Sequence, residues 1–306
     1  MTQFLLGRIA RAIVTLWAVL TLVFVLIHAT GDPIAVLAPE QMNAAQRAAL
    51  AAALGLDQPL FAQYVHFIVG VLHGNLGMSY YSDTPAMPLL VSRVPVTLEL
   101  VGLAIGIALA IGMPFGIFAA LHPESFADRA LRGLSVLGAS VPTFFLGIVL
   151  IFIFSVLTNL LPASGAGSIV HFIMPAFTLA FFRIAFFTRL VRSSLLESLS
   201  QQYVRTARAK GLSETMVVLK HALRPAALPL ITVFGLQFGQ LFAGTVITET
   251  IFALPGMNRM ALEALFRLDY PIILSYVLVA AGMFVFINFV TDVLYGIIDP
   301  RVGHAG

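Results

Sequence analysis

The sequence predicts an all-α polytopic membrane protein, and three observations carry that prediction. Lys and Arg number 17 and Asp and Glu 14, so charged residues make up 10% of the 306, against about 25% in a typical soluble chain. Hydrophobic residues reach 59% and the mean hydropathy is +0.98. Charge-free apolar runs recur at the length that crosses a bilayer. So few charges cannot cover the surface of a soluble domain of this size, which excludes a water-soluble enzyme and a disordered chain. The net charge of +3 gives no basic field for nucleic acid, and the absence of cysteine removes disulfides, thiolate metal sites and cysteine nucleophiles.

A spanning helix needs about 20 predominantly apolar residues. Ala12–Gly31 and Leu100–Pro123 each supply one charge-free run. Gly133–Phe182 carries no formal charge and is long enough for two spans, broken at the turn-rich Pro162-Ala-Ser-Gly-Ala-Gly-Ser168. Pro225–Thr248 and Tyr270–Thr291 complete the set. The expectation is six transmembrane helices near residues 10–30, 96–121, 135–160, 170–190, 226–249 and 271–296. The first run exceeds the 7–15 residues of a signal-peptide core and no small-residue cleavage site follows it, so it is read as a retained span.

An even number of spans puts both termini on one side. That side holds Arg8, Arg11, Arg129, Arg132, the seven basic residues of 189–224 and Arg301. The opposite side holds Arg47, Arg93, Arg259 and Arg267. The positive-inside rule therefore predicts cytoplasmic termini. The division expected is 1–94, the first span with an outer segment, and 95–306, a five-helix core. In the outer segment, Ala44–Leu54 has helix-forming composition, and Leu60–Leu72 is apolar but too short to span, as an interfacial helix would be. Gly102/Gly106, Gly112/Gly116 and Gly235/Gly239 place glycines four apart within spans, where backbones can approach closely; helix packing inside the chain suffices to explain them.

The segment between the fourth and fifth spans is the most informative. Leu196, Leu199, Tyr203 and Ala207 recur at helical spacing. Lys210 before Gly211 is the signature of a helix ending on a basic turn and a glycine, and Ser213 can cap a second helix carrying Met216, Leu219 and Leu223. The product is a helix–turn–helix excursion with net charge +5 over 189–224. A solvated topology loop and a DNA-binding element are the competing readings. An apolar stripe on a surface helix favours a docking element for a cytoplasmic partner.

Tyr203-Val-Arg-Thr-Ala-Arg-Ala-Lys-Gly-Leu-Ser213 resembles the cytoplasmic "EAA" loop of permease subunits in binding-protein-dependent ABC importers, in the form of the dipeptide/oligopeptide/nickel family. Ala207, Gly211 and Leu223 match that pattern. Arg205 and Thr206 replace its Glu and first Ala, His221 replaces its Ile, and Pro225 comes one place late, after Arg224. Leu54-Gly-Leu-Asp-Gln-Pro59, Gln63-Tyr64, Gly74-Asn-Leu-Gly-Met-Ser79, Thr97-Leu-Glu-Leu100, Glu249-Thr-Ile-Phe-Ala-Leu-Pro-Gly256, Asp269-Tyr-Pro271, Asp292-Val-Leu-Tyr295 and Asp299-Pro-Arg301 extend the resemblance over nearly the whole chain.

The resemblance implies an inner-membrane permease subunit forming half of a pathway for peptides or a related small solute, such as an opine-like chelator or a nickel complex. It implies a second homologous permease, two ATPase subunits carrying ATP and Mg, and an extracytoplasmic solute-binding protein. It places ATPase coupling in segment 193–224, at Tyr203, Arg205, Thr206, Ala207, Arg208, Ala209, Lys210, Gly211, Leu212, Ser213 and Glu214. Small side chains at Ala207 and Gly211 are expected to allow close approach of the partner. The chain's two lysines, Lys210 and Lys220, follow Ala209 and Leu219, so no P-loop is present and no cofactor is expected in this chain.

Polar residues in or near spans are expensive and become pathway candidates: Gln237, Gln240, Glu249, Asn288 and Asp292, each with a packing or capping role as the competing reading. Arg183, about 9 Å along a helix from Arg189, is expected to snorkel toward the cytoplasmic interface. His66 and His73 lie about 10 Å apart on one helix face, too far for one ion, and no metal site or catalytic constellation is expected. The alternative function is a secondary transporter driven by an ion gradient, which predicts a carboxylate relay at mid-membrane. The acids here cluster at span ends instead.

Overall fold

The structure is a computed structural model that describes residues 2–30, 42–53 and 57–298. Among these residues no strand forms, and Met78 and Pro85 make an isolated antiparallel bridge. The helices are α1 (Thr2–Thr30), α2 (Ala44–Ala53), α3 (Leu60–Leu72), α4 (Ala86–Val91), α5 (Val94–Leu121), α6 (Phe126–Ser140), α7 (Thr143–Leu150), α8 (Val170–Ser200), α9 (Gln202–Ala209), α10 (Glu214–Met216), α11 (Leu223–Gly244), α12 (Val246–Ile251), α13 (Met257–Phe266) and α14 (Tyr270–Ile298). Wider π-type winding continues α7 through Ile151–Leu157 and joins α10 to α11 through Val217–Ala222.

Among the described residues, three helical stretches are long and apolar enough to cross a membrane: Ala86–Leu121, Val170–Ser200 and Tyr270–Thr291. A fourth is the pair Glu214–Ala227 and Pro229–Gly244, bent by 46°. A proline at the bend removes one backbone donor and crowds the preceding turn, which accounts for the kink. Ile13–Leu26, Leu60–Leu72 and Thr143–Leu157 are shorter apolar helices.

The stretch predicted as one helix near 135–160 is divided. Residues 135–140 end α6, Val141 turns extended at φ −83° and ψ 119°, and Pro142 precedes α7. The residue before a proline is sterically pushed out of the α region, which sets the break. The fifth predicted stretch also divides, at Thr245 between α11 and α12. Leu54–Leu56, Asp299–Arg301 and the side chain of Asp292 lie outside the described residues.

The chain forms two compact units. One comprises, of the described residues, 96–255 and 286–298. Its core joins Leu100, Val101, Ala104 and Ile105 of α5 to Phe172, Met174, Ala176 and Leu179 of α8, with Leu241, Phe252 and Leu254. Gly112 and Gly116 let α5 lie directly on α8. A Cβ at Gly116 would stand 2.6 Å from the Val191 Cβ and 2.8 Å from the Thr188 carbonyl. A Cβ at Gly235 would collide with Thr291. Gly102 and Gly106 differ: they are exposed, with nothing within 4 Å of such a Cβ, so internal packing does not account for that pair.

The other unit comprises Thr2–Pro95 and Gly256–Val285. Phe24 of α1 stacks on Phe67 of α3 with ring centroids 5.5 Å apart, and Thr21 Oγ1 hydrogen-bonds Tyr64 Oη at 2.7 Å. The remaining face of α3 exposes Leu60, Phe61, Val65, Val69 and Leu72.

Candidate functional site

The helix predicted to end near residue 190 continues to Ser200, so α8 is 31 residues long. Its last turns carry Leu195, fully buried, with Leu196 and Leu199 partly so. Gln201 is extended at ψ 152°, and α9 begins beyond it. The apolar stripe read as one helix therefore belongs to two. Its apolar members are also covered from within: Leu195, Val204, Ala207, Val217, Ala222 and Ala226 form one buried cluster, with Leu196, Leu199 and Leu212 against it. The stripe needs no partner to cover it. Tyr203 remains 43% exposed, its hydroxyl 2.8 Å from Ser198 Oγ, and Ser198 Oγ donates to the Ala222 carbonyl at 2.8 Å.

Burial of Val204 and Ala207 turns the opposite face of α9 outward, exposing Arg205, Thr206, Arg208, Ala209 and Lys210. The helix then closes as its sequence predicts. Gly211 adopts φ +77°, its N–H donates to the Arg208 carbonyl at 2.9 Å, and the Leu212 N–H donates to the Ala207 carbonyl at 3.4 Å. This pair of bonds is the Schellman arrangement, completed by the packing of Leu212 with Ala207. A Cβ on Gly211 would meet nothing within 4 Å, so the glycine serves the backbone turn rather than relieving crowding.

Arg208 spans the turn to Glu214 with a two-pronged bond, Nε to Oε2 at 3.0 Å and Nη2 to Oε1 at 2.6 Å. This partnership holds the Glu214 carboxyl below its ordinary range and raises Arg208 further. Both side chains are substantially exposed, so the pair shapes the turn more than it stabilises the fold. Ser213 occupies the N-cap position with extended backbone but makes no side-chain cap bond. Past it, Val217, Val218 and Ala222 are buried, while Met216 and Leu219 point outward. A cleft of about 410 Å³ adjoins this stretch, lined by Ile117, Leu121, His122, Glu214, Val218 and Leu219 among others.

Two expectations change on this geometry. Ala207 is buried in the chain's own cluster, so its small side chain serves internal packing and not the close approach of a partner. Arg183 donates from Nη1 to the Leu179 carbonyl at 3.1 Å, one turn back along α8, and so points away from Arg189.

The pathway candidates do not share one environment. Glu249 is fully buried, and its Oε1 accepts from Thr97 Oγ1 and Thr245 Oγ1, each at 2.7 Å, tying α12 to the start of α5. Gln237 is buried, Gln240 exposed and Asn288 intermediate. Among the described residues no group of three side chains could hold a metal ion.

Two motifs quoted separately from the sequence meet in the second unit. Ser79 Oγ donates to Asp269 Oδ2 at 2.5 Å and the Tyr80 N–H to Oδ1 at 3.2 Å. Gly77, at φ +92°, lies where a Cβ would stand 3.7 Å from Pro271. Burial, with Asp269 beside it, pushes the Tyr80 phenol up to about 12. Arg267 covers the Tyr81 ring at 4.0 Å.

Sequence reasoning also passed over an ion pair with a buried carboxylate. Asp128, in the first turn of α6 and wholly inaccessible, accepts from Arg192 Nε at 2.6 Å and Nη2 at 2.8 Å. The guanidinium holds the Asp128 carboxyl below its ordinary value. Both residues had entered only as topology charges or not at all. The visible signal was Ser125-Phe-Ala-Asp128, a helix-start pattern in which Ser125 Oγ accepts the Asp128 N–H at 3.1 Å.

Residues 112–304 match the family described as binding-protein-dependent transport system inner membrane component, and residues 1–101 match its N-terminal family. The chain is 40% identical to the dipeptide transport system permease protein DppB of Escherichia coli (strain K12), over 99% of both chains. It is 42% identical to the glutathione transport system permease protein GsiC of Salmonella choleraesuis, again over 99% of each. The fold resembles the MetNI methionine ABC transporter in its inward-facing form, with TM-score 0.56 and 19% identity, covering 69% of this chain and 97% of that one. Full-length likeness to such permeases, together with the all-helical apolar fold, settles the family: the chain belongs to the inner-membrane components of binding-protein-dependent transport systems and is a permease subunit of a peptide-family ABC importer.

Proposed function

We propose that this chain forms half of the translocation pathway for peptides or a related small solute, and that segment 193–224 couples it to ATP hydrolysis on partner subunits. Six spans with cytoplasmic termini are the topology assigned, with residues 1–94 as first span and outer segment and 95–306 as permease core. The observation that carries the coupling reading is the build of α9. Its apolar face is locked into the chain's own core, its basic face is exposed, and the turn at Gly211 is closed by two backbone bonds. Such an element can be pushed without unravelling.

The partners assigned are a second homologous permease, two ATPase subunits holding ATP and Mg, and a solute-binding protein outside. The dipeptide and glutathione systems named among the relatives support a peptide-class cargo. The coupling residues are Tyr203, Arg205, Thr206, Arg208, Ala209, Lys210 and Gly211, with Leu212, Ser213 and Glu214 closing the turn and Ala207 anchoring it. Gln237, Gln240, Asn288 and Asp292 remain the pathway candidates. Glu249 is assigned to packing.

Gly211→Trp tests the reading. A Cβ at this position would meet nothing within 4 Å, and the positive φ makes any side chain strain the turn that closes α9. The variant is expected to insert at normal abundance while cargo uptake into cells is lost and co-isolation of the ATPases falls. Normal uptake with normal ATPase assembly would overturn the coupling assignment.

A further inference from the structure

The long helix that leads into α9 is held by a second attachment, distinct from the coupling turn. The Asp128 carboxylate, inaccessible in the first turn of α6, takes both prongs of the Arg192 guanidinium, and its Oδ2 also accepts the Glu124 N–H at 3.1 Å. Arg132 Nη2 is a second cationic partner, 3.4 Å from Asp128 Oδ2. The carboxylate is thus fixed in position by its own helix start and aimed at α8. Two-pronged pairs of this kind define orientation as well as contact.

Stability alone is a poor reason for such a pair, because taking the Asp128 carboxylate wholly out of water and Arg192 partly so offsets much of their attraction. Further along, α6 comes close to α8 at Gly138. A Cβ at Gly138 would stand 3.3 Å from the Ala185 Cβ. What distinguishes the pair is its place. Arg192 lies one turn before Leu195, where the buried cluster beneath α9 begins. It therefore grips α8 at the root of the coupling segment.

We propose that Asp128 and Arg192 are positioning residues for the coupling step: they clamp the root of the coupling segment to α6, so that displacement of α9 moves α6 and α8 as one body instead of bending α8. This rests on the coupling reading of α9. Its own content is that α6 and α8 stay together through the transport cycle, and that the clamp is what passes the motion on.

The test uses the complete importer with its binding protein and ATPases in proteoliposomes, measuring cargo taken up per ATP hydrolysed. Asp128→Asn with Arg192→Met removes both charges, keeps an oxygen for the Glu124 N–H, and avoids leaving one buried charge alone. Folding and assembly are expected to survive, with uptake per ATP falling about tenfold. The chain has no cysteine, so Gly138→Cys with Ala185→Cys introduces the single thiol pair of this subunit. Their Cβ separation falls just below the roughly 3.5–4.5 Å of a disulfide. With that disulfide closed, the native pair present, uptake is expected to continue; in the double-neutral background, closing it is expected to restore the lost ratio, and reduction to remove it again.

Unchanged uptake per ATP in the double-neutral variant would overturn the proposal. So would uptake that stops when the disulfide closes, since α6 and α8 would then have to separate. If the double-neutral chain failed to assemble, the disulfide in the native background would still decide. Gly211→Trp with normal uptake would instead overturn the coupling reading, whatever the cysteine pair showed.

Discussion

Single carboxylates in this chain do different work according to what surrounds them. Glu249 accepts two threonine hydroxyls, Asp269 gathers a serine hydroxyl and a backbone N–H, and Asp128 holds an arginine. None was assigned these partners from the sequence: apart from Thr245, one turn before Glu249, the side-chain partners lie on other elements, Asp269 and Ser79 being 190 residues apart. Tyr80 reports on the Asp269 site. Its phenol is raised from 10.0 to about 12 by burial and the adjacent carboxylate. Between pH 10 and 12 the unfolded chain gives up this proton while the folded chain keeps it, so the folded state loses stability as pH rises. Tyr80→Phe is expected to flatten that loss in thermal unfolding curves measured across the window. An unchanged alkaline slope would mean that Tyr80 titrates as an ordinary phenol.

Helix faces, at the next scale, were legible where a local rule decides them and illegible where packing does. The α3 helix has the bounds expected from its apolar run, Leu60–Leu72, and the Lys210-Gly211 ending is the predicted one. The Val141-Pro142 break was written in the proline and overlooked because the run carries no charge. The Gln201 break has no proline or glycine to announce it, and burial of Val204 and Ala207 beneath α9 is what pays the cost of leaving α8. Glycine spacing has the same ambiguity. Gly112/Gly116 and Gly102/Gly106 read alike, yet the first pair lies against α8 and the second faces open space. Gly116→Ala is therefore expected to lower the unfolding temperature of the detergent-solubilised chain, since Val191 and Thr188 must give way, at about 1–3 kcal/mol. Gly106→Ala is expected to leave it unchanged or raise it slightly, by up to about 1 kcal/mol from reduced backbone entropy. Equal shifts in both would contradict the packing described for α5.

Over the whole molecule, the scarcity of charge marked a membrane protein, and the placement of the remaining charges indicated where it meets water. Seven of the 17 basic residues fall within 189–224. There, the structure separates their roles: Arg192, partly buried, holds the buried Asp128, Arg208 braces the turn with Glu214, and Arg205 and Lys210 lie on the exposed face of α9. Sequence alone could point to the segment but could not sort its residues, because sorting depends on which face the apolar cluster claims. The central claim is that this exposed face is where ATP hydrolysis reaches the permease. The most direct measurement places the chain's single cysteine at Lys210→Cys and applies a short bifunctional cross-linker to the reconstituted importer. The account predicts a product joining this chain to an ATPase subunit, with a yield that changes between nucleotide-free and ATP-bound states. Cross-linking confined to other partners, or absent in every nucleotide state, would contradict it.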